Sequence, residues 1–498
     1  MRIVFVVPPV DYGVGPGPVD RVYGCNYAYD LKPPIHFLTL ATVVRNLGHE
    51  VTFLDCPAEG IAGRDFEAMA ARNLWDVAFF QCVYLSIPED SRAARTLVEI
   101  AQKQGHTPPI LIFEGTGPSW KPEEFHLHER CYILFGEPEI TTQELLATLQ
   151  TGGSPHGIAG LGFWEGGTFH QGPFRPLLDV NDLPIPDRRM LKGKYWLNRI
   201  ETRPITTLYT SRGCGYRCTF CTPNAIDQGI ELEFKKLQDT YVERPPLRQR
   251  RPELVIEEFR QVKEMGYKAV EVCDNLFIFD RRRTLEICRG LEGMGLIWLC
   301  LSRAPMLHDE EVVSAMARAG CKMIYIGSES FDQTILDDVH KDLKVSDVSR
   351  AVDTCRKYGI MPEVSVMMGG SALETKETIR TSVEKATRLG TDFVHFSIAL
   401  PTPSTELYDQ ARKEGWFVDG DFHPVDNGRT SIINLPHLSK DDLEHELKRA
   451  LARQYLSPAG ILKQVSRVRT PADVIQKARA AGKLVRYLIK GTPLRSSN

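Results

Sequence analysis

The chain lacks any apolar run near the ~20 residues a membrane helix needs, and Met1 leads into the short strand Arg2–Val7 with no signal-peptide pattern. A cytoplasmic protein is expected, with peripheral membrane contact through its last helix the only membrane association left open. It also lacks a dominant charge: the formal net charge is −3, which gives no hint of a nucleic-acid partner. The 12 cysteines are mostly scattered singly through apolar stretches, as reduced core thiols are, so a secreted disulfide framework is not expected. At 498 residues the chain exceeds a single core, and several domains are expected.

What is present is a repeated alternation of short apolar runs and helices, the pattern of a doubly wound parallel sheet. In the first 150 residues the runs fall at 2–7, 51–54, 76–83, 109–113 and 132–135, with helices at 33–48 and 88–105. Ligands of such sheets lie beyond the carboxyl ends of the strands, which here carry Pro8, Pro9, Tyr84, Ser86, Gly115, Thr116, Gly117, Gly136 and Glu137. Residues 157–172 read as a hairpin turning at Gly166-Gly167, and the Pro-rich 175–189 as part of a linker over 151–200. A second block, 201–430, has runs near 205–210, 268–273, 297–301, 322–327, 362–368 and 393–400, the six βα units of a partial barrel. Residues 431–498 read as a helical domain, with Ser439 and Asp442 forming a capping box and Thr470-Pro471 opening a last helix.

One cysteine cluster is tight: Cys214, Cys218 and Cys221, spaced Cys-x3-Cys-x2-Cys on the loop after the first barrel strand. Three thiolates can hold three irons of a four-iron cluster and leave the fourth iron open to a bidentate small molecule. A zinc site would want a fourth ligand, and the nearest downstream cysteine, Cys273, lies on another strand; structural zinc or idle thiols remain the alternatives. This spacing, with Phe220 before the last cysteine, resembles the signature of the radical S-adenosylmethionine (SAM) superfamily. The resemblance implies a 4Fe-4S cluster and a SAM cosubstrate held at strand ends by Asp274, Asn275, Ser302, Arg303, Glu329, Gly369 and Pro401. Two departures from the family pattern are Ser404 and Gly370-Ser-Ala372, both at the pocket rim.

The first 150 residues resemble the cobalamin-binding domain that precedes the barrel in many of these enzymes, through Pro8-Pro9, Ser86-Ile-Pro88, Gly115-Thr-Gly-Pro118 and Gly136-Glu-Pro-Glu139. The Asp-x-His-x-x-Gly motif that supplies a histidine to cobalt elsewhere is absent; Asp421-Phe-His423 comes nearest, but Asp426 stands at the glycine position. A histidine ligand is therefore not expected, and the lower cobalt face would meet the loop around Tyr84 and Ser86. An empty flavodoxin-like scaffold is the alternative. The resemblance implies methyl transfer to an unactivated carbon of a small-molecule or lipid substrate, fed by an electron donor such as flavodoxin or ferredoxin. Cyclisation or rearrangement with the same cofactors, and a non-catalytic carrier, are the rivals.

The loop 10–31, with Tyr12, Tyr23, Cys25, Tyr27 and Tyr29, is expected either to line a substrate channel or to cover an interface. Residues 235–251, rich in Lys and Arg, read as a solvated insertion, with an anionic-substrate contact the alternative, and Cys273, Cys300 and Cys321 as buried strand thiols, with a redox or radical-quenching role the alternative.

Overall fold

The computed structural model describes residues 1–498 apart from 16, 25, 28, 29, 198, 201, 222, 239–244, 466–480, 483, 486 and 489–498. Cys25, Tyr29 and most of the expected last helix thus lie outside the described residues.

Seven strands form the first sheet: β1 (Arg2–Val7), β2 (Glu50–Asp55), β3 (Val77–Gln81), β4 (Ile110–Glu114), β5 (Cys131–Leu134), β6 (Leu161–Glu165) and β7 (Thr168–Gln171). Their order is β2-β1-β3-β4-β5-β6-β7. The first five run parallel, as their continuous apolar sequences require of strands covered on both faces. Ile3, Phe5 and Val7 pack under one helical layer while Val4 and Val6 pack under the other, and Phe5 stacks on Phe79 at 4.5 Å. The hairpin expected over 157–172 is present as β6–β7, and it pairs antiparallel with β5 and so extends this sheet.

The chain then runs through β8 (Ile205–Leu208), a small antiparallel pair of β9 (Ser211–Arg212) with β10 (Arg248–Gln249), and on to β11 (Ala269–Val272), β12 (Ile297–Ser302), β13 (Cys321–Glu329), β14 (Met361–Met368) and β15 (Phe393–Ile398). β8 and β11–β15 form one six-stranded parallel sheet in the order β15-β14-β13-β12-β11-β8. Residues on its outer face, among them Trp298, Ile324, Val364 and Phe396, share one core with the surrounding helices. The helix Lys440–Leu456 belongs to that core through Leu443 and Leu447, lies along β15 and is tied to the neighbouring helix by Arg380–Glu446. It thereby covers a sheet edge that would otherwise stand open. Among the described residues no helix is long and apolar enough to cross a membrane.

Candidate active site

The cysteine loop leaves β8 and is fastened from several sides. Asp274, at the end of β11, accepts from the Thr210 amide at 2.6 Å, the Thr210 hydroxyl at 2.5 Å and the Ser211 amide at 3.1 Å. Asn275 accepts from the Asn224 amide at 2.9 Å and donates to Asp227 at 2.6 Å, while Asp227 accepts from the Gly213 amide at 2.8 Å. Gly213 has φ 86°, and a Cβ there would stand 2.5 Å from the Pro246 carbonyl, so no other residue fits. Farther along, the Thr219 amide donates to the Val339 carbonyl at 3.2 Å and the Leu407 amide to the Thr219 carbonyl at 3.0 Å.

These bonds give Asp274 a role that its strand-end position alone does not show. It is fully buried, with Oδ1 engaged by the Thr210 and Ser211 amides and Oδ2 by the Thr210 hydroxyl, so it braces the loop. Burial raises its carboxyl above the usual range, and the Thr210 donors oppose that rise. Asn275 is likewise a brace. The strand-end position was legible in the sequence; the direction of the side chain was not.

Cys218 is buried, and Cys214 and Cys221 are half-buried. Among the described residues no three His, Cys, Asp or Glu side chains are grouped as a single metal ion would need, whereas a cluster takes each thiolate on its own iron. Arg303, just past β12, brings Nη1 to 3.7 Å from the Cys218 sulfur and lays its guanidinium over the Tyr216 ring at 3.6 Å. Burial pushes the Cys214 thiol up, and Arg303 works against that shift. Phe220 is buried beneath Lys341, whose ammonium stands 5.7 Å from the ring centre.

Lys341 also pairs with Glu329 at 2.9 Å, and the Ser365 hydroxyl donates to Glu329 at 3.1 Å. Burial alone would raise the Glu329 carboxyl, but Lys341 holds it below the usual range. Glu329 adopts φ 60°, a left-handed backbone that few non-glycine residues accept and that recurs at functional sites. Nothing in the spacing of the sequence marked Lys341, which sits off the strands. Ser302 shares the helix-facing side of β12 with Trp298 and Cys300 and is fully buried there. The Gly369 and Gly370 amides donate to Glu374 at 2.5 and 2.9 Å. Pro401 opens a loop whose Thr402 and Ser404 hydroxyls accept from Gln228 at 2.9 and 3.3 Å, so the departure at Ser404 ties the rim to the helix Ala225–Gln238.

The ends of the first sheet meet this loop. Arg212, two residues before Cys214, pairs with Glu137 at 2.7 Å and Glu139 at 2.5 Å, all three buried. Glu137, expected to face a ligand, also takes Arg248 at 2.8 Å and the Leu178 amide at 2.9 Å, so it clamps the end of the first sheet to the β9–β10 pair. The Arg248 and Arg250 of the expected solvated insertion are drawn inward as well, Arg250 pairing with the buried Glu258.

Tyr84 shares a core with Cys218 and Phe220, and its ring meets Trp120 at 5.6 Å and Phe422 at 5.2 Å. Its hydroxyl, with Thr116 Oγ1, Ser119 Oγ and Gln81 Oε1, is buried with no hydrogen-bond partner among the described residues. Ser86 is committed: Arg21 donates to it at 2.8 Å and it donates to Asp90 at 2.5 Å, while Arg21 also pairs with Glu89 and Asp90. Gly115 has φ 103°, and a Cβ there would stand 2.5 Å from the Cys82 carbonyl. Pro8, Pro9 and Gly117 are buried and Gly136 is half-buried at the same sheet end. Tyr12 packs away from the barrel, against Phe66, with its hydroxyl donating to Glu67 at 3.0 Å; it lines no channel. Tyr23 does reach the barrel mouth, packing with Tyr209 and Cys273.

Comparison with known proteins agrees with this architecture. Residues 208–386 match the radical SAM superfamily. Over 473 residues the chain is 27% identical to a protein of Pyrococcus horikoshii named an uncharacterized methyltransferase, covering 93% of this chain and 95% of the relative. Among solved structures, the radical enzyme OxsB with aqua-cobalamin and SAM bound superposes with a TM-score of 0.68 at 16% identity, covering 98% of this chain and 71% of that one. The methyltransferase TsrM of Kitasatospora setae, with cobalamin and an iron–sulfur cluster, superposes with a TM-score of 0.63 at 17% identity, covering 97% of this chain and 100% of that one.

Proposed function

We propose that this chain, whose residues 208–386 are a radical SAM domain, is a cobalamin-dependent methyltransferase acting on an unactivated carbon of a small molecule. The observation that carries the reading is the junction of the two sheets. The loop bearing Cys214, Cys218 and Cys221 is clamped by Arg212 to Glu137 and Glu139, and beside it Tyr84, Thr116, Ser119 and Gln81 bury unpartnered polar atoms. Orphaned buried groups of this kind fit a ligand rich in amides, as a corrinoid is.

In this reading residues 1–150, their sheet extended by the β6–β7 hairpin, hold cobalamin, the stretch from 172 to 200 connects, 201–430 form the radical domain and the helix Lys440–Leu456 closes its edge. Cys214, Cys218 and Cys221 hold a four-iron cluster, whose thiolates Arg303 and Lys341 stabilise by charge. The cluster would supply an electron to SAM and the corrinoid a transferable methyl group. Glu329, with its backbone held by strain and its carboxylate by Lys341 and Ser365, orients the cosubstrate; Asp274 and Asn275 keep the cluster loop in register. Tyr84, its ring held between Trp120 and Phe422, would help to hold the corrinoid at this sheet end. The layered barrel excludes water from reactive species. A ferredoxin or flavodoxin would deliver the electrons.

The test is anaerobic reconstitution with iron, sulfide and hydroxocobalamin, followed by reductant and SAM. Stoichiometric bound cobalamin together with deoxyadenosine and S-adenosylhomocysteine is expected, and Cys218→Ala should abolish the deoxyadenosine. Deoxyadenosine without cobalamin binding overturns the role of residues 1–150. Deoxyadenosine without S-adenosylhomocysteine in the cobalamin-loaded protein points to cyclisation or rearrangement.

A further inference from the structure

The inner wall of the barrel on the β13–β15 side is open where its outer face is closed. Tyr325 and Gly327 are half-buried while Ile324, Ile326 and Ser328 are buried. Ser365 and Met367 are half-buried between Val364, Val366 and Met368, and on β15 His395 is exposed and Ser397 half-buried between Val394, Phe396 and Ile398. The period of two is that of a strand, and the buried set packs against the helices, so the open set faces the lumen. Strand register places Leu301 beside Tyr325, Ser365 beside His395, and Met367 beside Ser397.

Glu363, Arg199 and Glu329 are the charged groups whose fields reach His395, and the surrounding protein holds its imidazole below the usual range. The formal charges of this region are already paired, Arg199 with Glu363 at 2.5 Å, Lys341 with Glu329 at 2.9 Å and Lys32 with Glu271 at 3.0 Å. The described residues supply no hydrogen-bond partner to the Tyr325 hydroxyl, the His395 ring or the Ser397 hydroxyl. Polar groups lining a cavity need partners from water or from a ligand.

We infer that Tyr325, His395 and Ser397 bind an uncharged, hydrogen-bonding end of the substrate, a molecule that presents hydroxyl, amide or carbonyl groups to this wall. That Met367 and Leu301 share the wall leaves room for an apolar body behind the polar end. The substrate assignment rests on the methyltransferase reading; the chemistry of the cavity does not.

The cavity is tested with two defined probes on crystals of the full-length, cluster-loaded protein: acetamide, which donates and accepts hydrogen bonds, and xenon, which enters dry apolar cavities. Acetamide density within hydrogen-bond distance of His395 and of Tyr325 or Ser397, with no xenon there, is the expected result. Xenon in the wild-type lumen, or a lumen without acetamide, overturns the inference. The His395→Leu/Ser397→Ala protein should raise half-saturation by acetamide about tenfold and admit xenon, with Ser397→Ala alone as the milder variant should the double change not fold. Neither probe requires turnover or cobalamin, so failure here is distinct from failure of the methyltransferase assay.

Discussion

Arg303 Nη1 lies 3.7 Å from the sulfur of Cys218 while the same guanidinium covers Tyr216 at 3.6 Å. A fixed cation beside a ligating thiolate favours the more negative, reduced cluster. Replacing Arg303 with Gln should move the cluster midpoint to more negative potential by tens of millivolts, read by spectroscopic redox titration. An unchanged midpoint with intact iron content would deny Arg303 that role.

The Arg212 clamp should govern the junction. Arg212→Gln leaves Glu137 and Glu139 buried with less compensation, a change that costs roughly 3–5 kcal/mol in buried pairs. Lower thermal stability and reduced iron retention are expected. Adding Glu139→Gln to Arg212→Gln should recover part of the stability, because Glu139 is then neutral while Glu137 keeps Arg248 as its partner.

Asp274→Asn separates bracing from cosubstrate binding. An amide cannot accept from Thr210 N, Thr210 Oγ1 and Ser211 N together, so iron content should fall. The KM for SAM per loaded cluster should hold. A large rise in KM at full iron content would restore Asp274 to the cosubstrate site.

Glu374 carries a pH signature. Burial raises its carboxyl from 4.5 to about 7, against the pull of the Gly369 and Gly370 amides. The native state therefore holds this proton more tightly than the unfolded chain: the contribution is fully present below the unfolded pKa and is lost as pH rises through about 7. Denaturation midpoints of the wild type and Glu374→Gln should diverge from about pH 4.5 to about pH 7 and run parallel above it, the wild type losing about 3 kcal/mol that the glutamine retains.

Two glycines at the first sheet's end should differ under substitution. Gly115→Ala drives a Cβ to 2.5 Å from the Cys82 carbonyl on a backbone at φ 103°, whereas Gly136→Ala meets open space at φ 65°. A loss near 1–2 kcal/mol is expected at Gly136 and a clearly larger one at Gly115, by thermal denaturation.

The sequence carried the parts that depend on local order. The alternating runs placed both parallel sheets, and three closely spaced cysteines announced the loop on which the chemistry turns. What it did not carry was side-chain direction at equivalent places. Asp274 and Glu329 both end barrel strands, yet one turns back to the backbone of β8's loop and the other into the lumen. Glu137 looks like a ligand contact because it follows a strand-end glycine; only the arrival of Arg212 from a distant part of the chain makes it a clamp. The opening beside His395 is a property of three paired strands, and no single one announces it.

The hairpin β6–β7 changes what the connection between the sheets can do. With β6 bonded to β5, the free connection starts only after Gln171, and it is pinned along its course by Arg175 to Glu144, Asp187 to Arg45 and Arg188 to Glu258. A tether so fastened is a strut, not a hinge. The spacing of the two sheets is therefore set when the chain folds and not on each turnover.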